Sequence, residues 1–164
     1  MEFRRVLFRS SMYADFVPFF ATVEDGRAVI AAPGGGGRTS FVSRDDCAAV
    51  GAAVLLDDSG RFDGRALDVT GPEALTLAEA AAVLQEVTGR PAGYRDQTVE
   101  EAWATRRPSG HPDWEVEGWV TSYLAIAAGE LATVSDVVPT VTGSPALTVA
   151  EQLRRHPEDW AHLR

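Results

Sequence analysis

Arg-Ala-Leu-Asp-Val-Thr-Gly-Pro-Glu-Ala-Leu-Thr-Leu-Ala-Glu, residues 65–79 of a 164-residue chain, decides the fold class. Its first six residues alternate well enough for a strand, and Gly71-Pro72 stops it. Thr76 and Glu79 then stand at capping-box spacing, where the hydroxyl takes the N–H three residues on and the carboxylate reaches back to the cap N–H. The helix so opened carries Leu77, Ala80, Ala81, Leu84 and Val87 on one face until Gly89 and Pro91 end it. A strand feeding a capped helix through a tight turn is the repeating unit of α/β proteins.

Working outward, Arg27–Ala32 reads as a short strand, and Pro33 with Gly34 to Gly37 forces a loop. Residues 39–42 form a second extended piece. Ser43 caps a helix running to about Leu56, with Asp46 in its first turn and Cys47, Val50, Gly51, Val54 and Leu55 at helical spacing. The aromatic residues 13–23, interrupted by Pro18, read as a loop and short helix feeding the turn at Glu24-Asp25-Gly26. Downstream, Ala92–Asp96 is a further strand. Thr98 with Glu101 is a second capping box, opening a helix that must end before Pro108. A longer helix over 114–131 has Trp119, Tyr123 and Ile126 as core positions, and Ser135-Asp136 starts a brief one. Thr148 with Glu151 is a third box, and its helix is cut short by Pro157. Short strands alternate with helices over the first hundred residues, and the remainder is helical. The expected fold is α/β, the carboxy-terminal half of a Rossmann-like doubly wound domain with a helical cap on its substrate side.

Residues 2–10, Glu-Phe-Arg-Arg-Val-Leu-Phe-Arg-Ser, spell the translation of a common sequencing-library adapter. They are expected to be an adapter-derived leader making few defined core contacts, with the fold entered near Met12 and residues 11–164 forming one domain part. The apolar run Val6-Leu7-Phe8 is too short for a secretory core. Removing Glu2, Arg4, Arg5 and Arg9 from 15 basic and 24 acidic residues leaves 12 and 23, a formal charge of −11. That balance, without any basic cluster, argues against a nucleic-acid partner. Lysine is absent, so no catalytic lysine exists. The lone Cys47 excludes an intramolecular disulfide and a multi-cysteine metal site, and fits a reducing cytoplasm. No apolar run approaches a membrane span, so no membrane partner is expected.

Local chemistry motifs are sparse. Gly34 to Gly37 lacks the Gly-x-Gly-x-x-Gly and Gly-Lys-Ser/Thr patterns of nucleotide loops and reads as a surface loop. His111, His156 and His162 lack metal-ligand spacing and an evident carboxylate partner, and no metal is expected. No Gly-x-Ser-x-Gly nucleophile elbow is present. The acid pairs at 45–46, 57–58 and 100–101 read as solvated residues of loops and first helical turns. Trp103, Trp114, Trp119 and Trp160 are packing candidates, with Trp114 and Trp119 also candidates for a ligand pocket.

Three runs carry a resemblance: Ser-Met-Tyr-Ala-Asp-Phe (11–16), Thr-Ser-Phe-Val-Ser-Arg-Asp-Asp-Cys-Ala-Ala (39–49) and Asp-Val-Thr-Gly-Pro-Glu-Ala-Leu-Thr-Leu-Ala-Glu (68–79). With residues 119–136 and 153–158 they resemble the carboxy-terminal half of NmrA-like proteins, atypical short-chain dehydrogenases/reductases with an NAD(P)-binding Rossmann domain. The resemblance implies that the glycine-rich cofactor fingerprint lies upstream, in a half this chain lacks. It also implies that Ser11, Met12 and Tyr13 follow a sheet strand and approach the nicotinamide and the substrate, with Tyr13 lining the pocket. Residues 98–133 would supply the substrate-side wall. The implied activity of the intact parent is NAD(P)H-dependent reduction of a small molecule, quinones or related carbonyls, the chain alone being inactive and binding the cofactor weakly. The alternatives are a non-catalytic NAD(P)-binding redox sensor and an open reading frame with no independent function.

Overall fold

Each of the three threonine capping boxes forms and fixes a helix start. Glu79 N–H donates to the Thr76 hydroxyl at 3.1 Å and Thr76 N–H to Glu79 Oε2 at 2.8 Å. The same reciprocal bonds join Thr98 to Glu101 and Thr148 to Glu151. The computed structural model describes residues 6–163. In chain order the elements are β1 (Leu7–Ser10), α1 (Phe16–Phe19), β2 (Ala21–Glu24), β3 (Arg27–Ala32), β4 (Arg38–Thr39), α2 (Arg44–Leu55), β5 (Ala66–Val69), β6 (Leu75–Thr76) and α3 (Leu77–Thr88). β7 (Ala92–Asp96), α4 (Val99–Arg106), α5 (Asp113–Ala127), α6 (Val137–Thr142) and α7 (Val149–Arg155) follow, with 3₁₀ segments at Arg107–Ser109 and Pro157–Leu163.

The central sheet has the order β2-β3-β7, β2 antiparallel and β7 parallel to β3. Strand periodicity divides it into two chemically distinct faces. Ala28, Ile30 and Ala32 of β3 are at most 1% exposed and pack, with Ala21 and Ala92, against Leu77, Ala80, Ala81 and Leu84 of α3. The opposite face carries Thr22, Glu24, Ala31 and Arg95, and it looks toward α4 and α5. A second core gathers Val42, Val50, Phe62, Leu67, Val69 and Val138 beneath α2 and α6. The expected α/β architecture is present: parallel pairs β3–β7 and β1–β5 flanked by helices, with α4 and α5 as the helical cap.

Several expectations need correction. The fold is entered before Met12: Leu7 to Ser10 pair in parallel with Ala66 to Val69, and Val6 packs on the second core. The ladder uses backbone groups, which any β-compatible run supplies, and all four strand side chains are exposed. Residues 1–5 lie outside the described residues. The 13–23 stretch contains a strand as well as a helix, because Asp25 (φ 48°) and Gly26 (φ 78°) form the two-residue left-handed turn that closes a β-hairpin. α5 ends at Ala127, four residues before the expected stop, with Gly129 in the left-handed conformation just beyond it.

Asp46 is buried rather than solvated, and its Oδ2 accepts the Leu147 N–H at 2.8 Å, tying α2 to the segment before α7. His156 does have acidic partners, Glu158 at 3.0 Å and Asp45 at 3.2 Å, and His111 meets Glu115 at 3.0 Å. The glycine loop is only partly a surface loop. Gly34 is buried with its N–H on the Tyr94 hydroxyl at 3.1 Å, and a Cβ on Gly37 would collide with the Ile126 carbonyl at the end of α5.

Candidate functional site

The second face of the central sheet does not meet the cap in a closed core. A cavity of about 330 Å³ lies between them. Its floor is sheet: Thr22 and Glu24 of β2, Ala31 of β3, Arg95 of β7 and Gln97 just beyond. One wall is aromatic, built from α1 and its C-cap. Phe16 and Phe20 have ring centroids 5.8 Å apart, Phe16 and Phe19 6.2 Å, and Phe20 meets Tyr123 of α5 edge-on at 5.1 Å. Met12 completes that side. The opposing wall is Thr105 and Arg106 of α4 with Trp119, Ser122 and Tyr123 of α5. Trp119 is braced by His111, whose ring lies edge-on at 4.8 Å and is itself held by Glu115.

The polar groups are few and mostly oriented. Arg95 pairs with Glu24 at 2.9 Å. Arg106 donates from one terminal nitrogen to Gln97 Oε1 at 3.2 Å and to the Ala102 carbonyl at 3.1 Å, and from the other to the Ala31 carbonyl at 2.8 Å. Its guanidinium lies 5.0 Å from the Tyr123 ring centroid. Burial pushes the Tyr123 phenol above its ordinary pKa, against the opposing pull of Arg106, so it stays protonated at neutral pH. No histidine or cysteine lines this cavity among the described residues. Its one carboxylate, Glu24, is neutralised by Arg95. The arrangement can bind and orient a flat apolar ligand with a polar end.

The residues anticipated from sequence divide between two environments. Met12 and Trp119 line the cavity. Tyr13 and Trp114 do not. Successive residues of an extended segment face opposite ways, so Tyr13 turns to the second core, bridges to Val42 and lies under the Arg44 guanidinium at 4.8 Å. Trp114 is 73% exposed at the start of α5. Ser11 is hydrogen-bonded to Ser40 at 3.2 Å beside the cavity-lining Met12. The segment 11–13 does follow a sheet strand, β1, as the resemblance implies. Sequence reasoning passed over Arg95, Gln97, Arg106 and Ser122 as site residues. The alternation within β7 places Arg95 opposite Tyr94, a signal that was present in the sequence, whereas nothing local marks Arg106.

A pyrophosphate sits on free backbone N–H groups at a glycine turn or a helix start; α5 and α6 start without a side-chain cap, whereas several other such groups are engaged within the chain. Gly34 and Gly35 donate to Tyr94 and Asp96, and Ser43, Thr76, Thr98 and Thr148 cap α2, α3, α4 and α7 with their own side chains. No cluster of three or more metal-ligating side chains occurs among the described residues, and none of their helices is long and apolar enough to cross a membrane.

No family model matches the chain. Among characterised proteins it is similar to an NAD(P)H azoreductase of Xenophilus azovorans, 37% identical over 124 residues, which are 76% of this chain and 43% of that protein. Among solved structures it is similar to the NADPH-dependent quinone oxidoreductase QOR2 of Escherichia coli in complex with NADPH. That match has a TM-score of 0.77 and 24% identity over 90% of this chain and 51% of the other. It also matches NmrA, a negative transcriptional regulator solved with NAD, at a TM-score of 0.68 and 11% identity, covering 99% of this chain and 56% of that one. The chain spans about half the length of the curated relatives it matches. Its fold is that of NAD(P)-binding Rossmann-like reductases.

Proposed function

We propose that this chain is the substrate-side, carboxy-terminal part of an NmrA-like NAD(P)H-dependent oxidoreductase that reduces a planar small-molecule acceptor, a quinone or related carbonyl or azo compound. The observation that carries the reading is the cavity itself. Its aromatic and apolar lining suits a flat ring system. Its polar residues can orient such a ring. Reduced nicotinamide supplies a hydride when bound, and in this reading the residues present here bind and orient the acceptor. Met12 and Trp119 hold the ring, Tyr123 and Ser122 present hydroxyls, and Arg106 supplies fixed positive charge. Ser11 and Met12 are the residues proposed to lie nearest the nicotinamide.

The sensor reading is the weaker one, since the 37% identical relative is named as a reductase whereas the regulator NmrA is 11% identical and shares the fold alone. The test is steady-state oxidation of NADPH and NADH with menadione by the coding sequence extended upstream, compared with its Trp119→Ala form. Turnover with a raised KM in the variant supports the proposal. Tight NAD(P)H binding without turnover on any quinone, azo or carbonyl acceptor would favour the sensor.

A further inference from the structure

We propose that Arg106 makes this cavity selective for acceptors that carry an anionic oxygen, such as a carboxylate, sulfonate or phenolate, on the flat ring system; this rests on the acceptor-binding reading above. Two charged groups besides Arg106 line the cavity, and they neutralise each other: Arg95 and Glu24 form an ion pair at 2.9 Å. Arg106 has no carboxylate partner among the described residues. The acceptors that hold it are neutral: the Gln97 amide oxygen, the Thr105 hydroxyl at 3.3 Å, the carbonyls of Ala102 and Ala31, and the protonated Tyr123 hydroxyl. Its face rests on the Tyr123 ring. A half-buried guanidinium is always charged, and desolvating it without a counter-charge is costly.

The residues around Arg106 spend their bonding on holding it still rather than on neutralising it. The bonds to Ala31 and Gln97 anchor it to the sheet floor from a position on α4, so it reaches across the cavity's edge and cannot swing into solvent without breaking them. Those bonds leave from the two terminal nitrogens, and the Tyr123 hydroxyl beside the guanidinium is a further neutral partner. A planar, fixed donor group with uncompensated charge beside an aromatic wall matches a ring whose anionic substituent lies in the ring plane. The chain as a whole carries a formal charge of −9, which repels anions, so any preference for them must be local to this residue.

The test uses equilibrium dialysis of this chain against anthraquinone-2-sulfonate and its neutral analogue 2-(hydroxymethyl)anthraquinone. The wild type should bind the sulfonate about tenfold or more tightly than the neutral compound, the scale of one charge-assisted contact. Arg106→Gln should reduce that ratio to near one, and Arg106→Lys should restore part of it. Arg107→Gln removes the same charge one residue away, where the side chain stacks on Trp103 outside the cavity, and should leave the ratio unchanged. Equal affinity for both compounds in the wild type, or a preference that survives Arg106→Gln, overturns the role of Arg106 while leaving the acceptor cavity intact. Binding of neither compound overturns both.

Discussion

Replacing Tyr94 with Phe should cost about 2 kcal/mol, although it removes a single oxygen atom. That oxygen accepts the Gly34 N–H at 3.1 Å and lies 2.9 Å from the Ala32 carbonyl and 2.6 Å from Asp96 Oδ1, to which its one proton is shared. Burial first, and the Asp96 carboxylate second, hold the phenol well above its ordinary pKa, so it remains a donor at neutral pH. In the Phe variant the buried Gly34 N–H has no partner, and an orphaned buried amide costs roughly 1–3 kcal/mol. Gly34 cannot move to find one easily, because it is packed against the Leu77 side chain. With a urea m-value of about 2 kcal/mol/M, the midpoint of unfolding should fall by about 1 M. Urea titrations followed by circular dichroism measure this. A change under about 0.5 kcal/mol would place the glycine loop among ordinary surface loops and refute the claim that Tyr94 fixes it.

Further outcomes follow from other contacts. Gly37→Ala forces a Cβ into the Ile126 carbonyl and should destabilise by roughly 1–3 kcal/mol, read as a lower thermal midpoint; an unchanged midpoint would mean that α5 is free to retreat. Deleting residues 2–10 removes β1, the partner of β5 among the described residues, and should lower stability by more than about 1 kcal/mol and raise light scattering. Loss of neither would restore the expectation of an inert leader. Hydrogen bonds donated to the Glu158 and Asp45 carboxylates raise the His156 pKa above its ordinary 6.5. Its contribution is therefore full below that value and lost as pH rises through the folded-state pKa, so His156→Gln should lower the melting temperature more at about pH 6 than at about pH 9. A deficit that grows with pH would contradict the assignment.

Signals confined to a few adjacent residues were legible in the sequence. Thr76, Thr98 and Thr148 each carry a glutamate three residues on, and that spacing alone fixes a helix start. The bounds of β3 and β7 were equally plain, since Pro33 and Pro91 flank them. The hairpin was not, because the aromatic run around Pro18 obscures the two alternations that make β2, even though Asp25-Gly26 is a hairpin turn. The cavity was legible only in part. It collects side chains from α1, β2, β3, β7, α4 and α5, and which face of a strand looks into it depends on pairing register, which no local pattern encodes. Trp114 and Trp119 illustrate the point. They lie five residues apart, about 140° around a helix, so α5 can present only one of them to the site.

The central claim is that the space between the sheet and the α4–α5 cap is where an acceptor binds. The chain carries two methionines, Met1 and Met12, and four tryptophans, of which Met12 and Trp119 line that space. Labelling the methionine methyls and tryptophan indoles and titrating menadione in an NMR experiment therefore reports the site directly. The account predicts saturable shifts at Met12 and Trp119 with Trp114 and Trp160 unmoved. Shifts at Trp114 or Trp160 while Met12 and Trp119 stay still, or none at all, would contradict it.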